Sequence, residues 1–262
     1  MKTYSINNAT PNASAALDVT STSLGFLPPR MTAVQRDAIT SPALGLMVFC
    51  TNCASGDGEL QVYYTSGWKN IVGGETTDPP APVIGVYRDG GIVFYIAPSP
   101  TDLDGDGDLD TGLVCAIEDH SNLIAWINPE IETTENGGTL ASIGTGQTNT
   151  TAMTSQVGYT GGAAKVCNDY TTTVNGIIYN DWFLPSKDEL NQMYVHKAVI
   201  NTAATADGVG GAVFSYNNNR YYWSSTEAGS NDAWCQYFFN IANSQNQPEK
   251  SFSHYVRAVR AF

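Results

Sequence analysis

The chain has 262 residues, enough for one large domain or two smaller ones with a real core. Charged residues make up 14% against 25 Gly and 14 Tyr, so amides and hydroxyls make the surface polar, the profile of a loop-rich β or α+β protein. A net charge of −13 excludes a nucleic-acid or anionic-polysaccharide partner held mainly by Coulomb attraction, and leaves cations as the natural small partners.

The first stretch, "MKTYSINNATPNASAALDV", has neither a basic-then-apolar signal segment nor an apolar run able to span a bilayer. With Met1 as the initiating residue, the expectation is a protein that stays out of the ordinary secretory route and inserts into no membrane. In "LPPRMTAVQRDAIT", Pro28 and Pro29 precede a short helix with Met31, Val34 and Ala38 on one face, ended by Ser41-Pro42. "LGLMVFC" and "LQVYYTSGWKNI" read as a strand pair joined at "SGDGE". Residues 1–74 thus form a small β-rich piece with too little apolar surface to be stable alone. The five cysteines, Cys50, Cys53, Cys115, Cys167 and Cys235, are too few for a disulfide scaffold and read mostly as buried or free thiols. "FCTNC" has metal-knuckle spacing, but a structural zinc wants four convergent ligands, and His120, His196 and His254 are scattered.

The cluster "GGETTDPPAPVIG" marks a linker at 75–82, and 83–262 forms the second domain. There "GGIVFYI" and "GLVCAIE" are strands, while "TNTTAMTSQ" and "GGAAKVCNDY" are helices. "DWFLPSKDELNQMYVHKAVI" is the strongest helix, with Ser186 and Glu189 as a capping box and Leu190, Met193 and Tyr194 facing inward. Asp188 and Glu189 favour its dipole. From about Ala212 the chain reads as short strands and turns.

"DLDGDGDLD" puts Asp102, Asp104, Asp106, Asp108 and Asp110 on alternate residues, at positions one to nine of an EF-hand-like loop, although position twelve is Leu113. Carboxylates this close repel one another unless a cation neutralises them, and calcium takes such an oxygen cage. The expected role is structural; the alternative is a solvated acidic hairpin tip.

"GGIVFYI", "GLVCAIED", "IGTGQTNT", "AAKVCNDY", "NDWFLPSKDELNQMY", "YWSSTE", "AWCQYF" and "VRAVRAF" stand in the order of a family that resembles the C-terminal domain of bacterial collagen-like adhesins and the related major paralogous domains. The likeness covers about Val83 to Phe262. It implies an α+β, C-type-lectin-like binding module of short strands and two or three helices, with no enzymatic activity. "PNASAALDVTSTSLGFLPPRMTAVQRDAITSPALGLMVF" resembles a connector found ahead of tail-fibre-like domains, which implies attachment and trimerisation. In some relatives the last strands are targets of diversity-generating retroelements; Asn231, Asn240, Asn243 and Asn246 beside Cys235, Phe239 and Ile241 fit a selected variant or a fixed Asn-rich surface.

In "AWCQYFFN", Trp234, Gln236, Phe238 and Asn240 alternate with Cys235, Tyr237 and Phe239. The resemblance makes Trp234 and Phe238 framework, leaving Tyr237 and Phe239 for an exposed face; Trp182 and Trp223 are assigned to the core. The expected binding residues are Tyr221, Asn231, Asp232, Tyr237, Phe239, Asn243, Gln245, Asn246 and His254. Glu227, Asp232 and His254 are the one conceivable acid–base set in a chain without hydrolase, phosphate-loop or zinc-protease motifs. The resulting expectation is a homotrimeric receptor-binding tail-fibre or adhesin protein of a phage or a phage-tail-like contractile injection particle. It would assemble in the cytoplasm, join tail or baseplate proteins, and bind a cell-surface glycan or protein; a bacterial cell-surface location is the alternative setting. A capsid or baseplate decoration protein and a glycan-degrading tail spike are the alternative functions.

Overall fold

The computed structural model describes residues 4–6, 10, 17–76, 81–174, 176–206, 214, 220–238 and 245–262. The chain divides into two compact units, Met1–Pro80 and Ala81–Phe262.

In the first unit, β1 (Tyr4–Ile6) and β2 (Leu17–Val19) form a parallel two-stranded ladder. β3 (Arg30–Met31), β4 (Met47–Cys50), β5 (Glu59–Tyr64) and β6 (Gly67–Asn70) form a four-stranded sheet in that order. The expected helix is α1 (Ala33–Asp37), one turn and a half long. Thr32 and Gln35 close a capping box around its first turn, satisfying donors that a short helix leaves open. Cys50 and Cys53 are joined in a disulfide, so "FCTNC" is neither a metal knuckle nor a pair of thiols. Cys115, Cys167 and Cys235 are free and buried.

The second unit is mixed α and β. β7 (Tyr87–Arg88), β8 (Gly91–Thr101), β9 (Asp110–Cys115) and the last strand, β17 (Val259–Ala261), make one sheet in the order β17-β9-β8-β7. β10 (Ser121–Ala125), β13 (Tyr221–Glu227), β14 (Ala233–Tyr237), β15 (Gln245–Asn246) and β16 (Ser253–Val256) make another, ordered β10-β16-β13-β14-β15. β11 (Thr172–Val174) and β12 (Ile177–Tyr179) form a hairpin. Four α-helices stand among the described residues where the resemblance implies two or three: α2 (Gly146–Thr154), α3 (Ala163–Asn168), α4 (Lys187–Val195) and α5 (Lys197–Ala204). The excess arises at His196, whose backbone leaves helical geometry and splits the predicted long helix into α4 and α5.

Two apolar clusters hold this unit together. Trp126, Trp182, Trp223, Met153 and Val256 anchor one. Phe94, Phe183, Leu190, Met193, Phe214, Tyr222 and Phe238 anchor the other. β13 feeds both because alternate side chains leave a strand on opposite faces: Trp223 enters the first cluster and Tyr222 the second.

The α4 capping box does more than cap. Glu189 is fully buried and accepts the backbone N–H groups of Ser186 at 2.7 Å, Gly144 at 2.8 Å and Gly146 at 3.3 Å. One carboxylate therefore ties the start of α4 to the start of α2. Burial raises its pKa to about 7, against the opposing pull of those N–H donors.

Candidate functional site

β13 lies between β14 and β16, which sets the rings of three strands side by side. Tyr221 faces Tyr237 across the antiparallel pair, and Trp223 faces Cys235. The Tyr237 and Tyr221 rings stack at 4.6 Å and 21°. Tyr221 lies 5.3 Å from the His254 ring on β16, and His254 lies 4.4 Å from Trp223. The ladder thus runs from the buried Trp223 outward to the half-buried Tyr237.

Beside it opens a cleft of about 490 Å³ lined by Tyr221, Cys235, Asn246, Gln247, Pro248, Phe252 and His254. Phe252 is 52% exposed at its rim. None of these side chains carries a charge near neutral pH. Burial lowers the His254 pKa to about 4, because the imidazolium loses more hydration than the neutral ring, and the Ser253 backbone opposes this only in part. Its Nε2 is buried without a hydrogen-bond partner. The surface therefore offers ring faces, two exposed amides and a neutral imidazole. Such groups suit CH–π and hydroxyl contacts better than ion pairing.

Two buried charge networks fix these strands. Asp119, 5% exposed, accepts from Arg220 Nη1 at 2.9 Å and from the Tyr222 hydroxyl at 2.9 Å. Its other oxygen accepts from Arg257 Nε at 2.9 Å and Nη2 at 2.7 Å. Both ends of the ladder's strand environment, before Tyr221 and after His254, are thereby bound to one carboxylate. At the far end of β13, Lys250 Nζ donates to Glu227 Oε1 at 2.6 Å, Ser230 O at 2.6 Å and Thr134 O at 3.2 Å. Glu227 accepts the backbone N–H groups of Asn136 at 2.9 Å and Gly137 at 3.0 Å. Its carboxylate is engaged in holding that loop, with Asp232 near it at the β13–β14 turn, while His254 sits beside Tyr221 at the start of β13.

The acidic loop brings together three of its five carboxylates: oxygens of Asp102, Asp104 and Asp106 lie within 4.8 Å of one another. Gly105 and Gly107 adopt φ of 84° and 93°, which folds the loop back so that Asp102 accepts both their N–H groups. Asp110 belongs elsewhere: buried at the start of β9, it accepts the Leu103 N–H at 2.8 Å, and burial raises its pKa to about 7. Asp108 is exposed and outside the converging three. Burial, reinforced by repulsion from Asp106, Asp102 and Asp181, raises the Asp104 pKa.

Of the expected binding residues, Tyr221, Asn246 and His254 line the cleft, and Tyr237 stacks on Tyr221. Gln245 sits next in β15 and donates to Lys187 O at 3.2 Å. Asn231 and Asp232 lie at the opposite end of the β13–β14 hairpin, where their carbonyls accept from Lys250 and Ala228, and they line no part of the cleft. Phe239 and Asn243 lie outside the described residues, as do Asn240 and Ile241. Phe238 is core, whereas Trp234 is only half-buried, its ring covered by Lys187 Nζ at 4.0 Å. Sequence reading missed Gln247, Pro248 and Phe252; the lone apolar Phe252 within "EKSFSH" was the available signal.

Among the described residues no helix is long and apolar enough to cross a membrane. No curated protein matches the chain. Residues 5–82 match the phage tail like trimerisation region, and residues 116–260 match the Lcl C-terminal domain. The second match spans more than half of the 262 residues and contains the ladder, the cleft and both charge networks. The chain is a tail-fibre or adhesin-type protein, self-associating as a trimer through its first region, and it belongs to the Lcl C-terminal domain family.

Proposed function

We propose that this chain is a receptor-binding subunit of a phage or phage-tail-like particle, whose C-terminal unit recognises an uncharged glycan on a target cell through the Tyr221–His254 cleft. The observation that carries the reading is the cleft lining: three rings and two amides with no ionised side chain, on a chain of net charge −13. That charge repels acidic polysaccharides, whereas stacked rings and amides suit the faces and hydroxyls of neutral sugars. Three copies held together would turn weak single sites into useful avidity. Gln245, next to the cleft residue Asn246 in β15, extends the proposed contact surface; Phe239 and Asn243, expected there from the sequence, lie outside the described residues. A virion or extracellular particle assembled with tail or baseplate proteins is the matching setting.

The test is binding of the full chain to whole cells. Replacing Tyr221 and Tyr237 together with Ala removes the stacked pair but leaves both clusters' buried anchors in place. At about 1–3 kcal/mol for the lost ring contacts, binding drops roughly 10- to 100-fold while the circular dichroism spectrum is kept. Undiminished binding by a folded double variant refutes the cleft as the receptor site.

Calcium has a narrower place in this proposal than the five-carboxylate loop promised. Asp102, Asp104 and Asp106 are the residues to hold it, with a structural role in pinning the loop between β8 and β9. Calcium at millimolar concentration raises the unfolding temperature by a few degrees, about 1 kcal/mol of linkage, and Asp104→Asn removes the response. An equal response in that variant, or none in the parent, sinks the assignment.

A further inference from the structure

The N-terminal unit is built with its apolar residues outward. Among its described residues, the buried apolar side chains are only Ala33, Val48, Cys50 and Cys53. Meanwhile Leu24 is 74% exposed, Phe26 66%, Leu27 73% and Leu44 66%. A unit that hides so little and shows so much is incomplete as a monomer.

The sheet shows where the missing cover belongs. Val48, Cys50 and Gln61 lie on the face that α1 covers with Ala33 and Arg36; Arg36 Nη1 donates to Gln61 Oε1 at 2.6 Å. Alternation places Met47 and Phe49 on the opposite face. The register sets Val62 opposite Met47 and Leu60 opposite Phe49, so four apolar side chains share this face. Met47 is 37% exposed and Phe49, Leu60 and Val62 are half-buried, and the one α-helix among the described residues of this unit lies on the other side.

Leu24, Phe26 and Leu27 stand exposed close together in sequence, in a stretch that belongs to no strand. The β1–β2 ladder repeats the theme. Parallel strands occur almost only with both faces covered, and a lone two-stranded ladder is marginal in water, yet Leu17 is 53% and Val19 42% exposed.

An apolar sheet face and a separate exposed apolar stretch on one chain, neither buried among the described residues, are what a head-to-tail ring requires. We propose that Leu24, Phe26 and Leu27 of one copy pack across the Met47/Phe49/Leu60/Val62 face of the next, and that three such contacts close the trimer. This rests on the trimerisation reading of residues 5–82 and goes beyond it by naming the two faces and their head-to-tail pairing.

Light scattering of the full chain after size exclusion tests it. The parent runs as a trimer; Phe26→Asp with Leu27→Asp runs as a monomer, with the circular dichroism spectrum unchanged. A monomeric parent overturns the trimerisation reading and this proposal with it. A trimeric parent with a trimeric variant overturns the face assignment alone. A second variant, Phe26→Cys with Val62→Cys, covers the case in which the charged variant fails to fold. Oxidation then gives covalent dimers and trimers on a non-reducing gel, and monomer bands alone refute the head-to-tail contact.

Discussion

Replacing Lys250 with Met destabilises the C-terminal unit by about 3–5 kcal/mol, the cost of leaving a buried charge without its partner. Lys250 is fully buried and Glu227 is 5% exposed, so water cannot replace the lost ammonium. All three Nζ hydrogens have acceptors: Glu227, Ser230 and Thr134. A Met of similar length fills the space, yet strands one carboxylate and two carbonyls. The carboxylate would still hold Asn136 and Gly137, so the loop loosens before the strands do. Urea unfolding followed by tryptophan fluorescence reads this; one of the reporting rings, Trp126, lies 5.2 Å from Lys250 Nζ. A loss under about 1 kcal/mol would mean that the pair is hydrated, as exposed pairs are.

Asp119→Ala is the second large effect, again about 3–5 kcal/mol. It takes the carboxylate away from two guanidinium groups and a tyrosine hydroxyl at once, and Arg257 is only 1% exposed. Because Arg220 precedes Tyr221 and Arg257 follows β16, the loss also frees the strands that align the Tyr221–His254 rings. Asp119→Asn keeps the shape and one acceptor, so it costs less than the alanine variant. Equal stability of parent and alanine variant in urea would show that the network is dispensable.

Local chemistry was legible in the sequence, and pairings across the fold were not. The Ser186–Glu189 box spans three residues, so α4 could be read with its inward Leu190 and Met193. The α4–α5 break at His196 could not, since no Gly or Pro marks it. Nothing local reveals that Glu189 also reaches Gly144, or that Asp119 meets Arg257 across 138 positions. The acidic loop illustrates a different limit. Alternate spacing counts five equivalent carboxylates, but left-handed turns at Gly105 and Gly107 gather three, and burial removes Asp110. Cys-x-x-Cys spacing likewise serves a knuckle or a disulfide, and only the closeness of Cys50 and Cys53 in the fold decides between them. At the cleft, Tyr221, Tyr237 and His254 were readable as rings in an amide-rich setting. The Tyr221–Tyr237 stack follows from the β13–β14 hairpin, whereas His254 joins it only because β16 pairs parallel to β13, a register set by tertiary packing.

A glycan array probed with the full chain, carrying neutral and sulfated or sialylated glycans side by side, tests the central claim most directly. The expected result is binding to neutral glycans, lost on Tyr221→Ala. Binding confined to acidic glycans, or neutral binding that survives Tyr221→Ala in a folded protein, would contradict it.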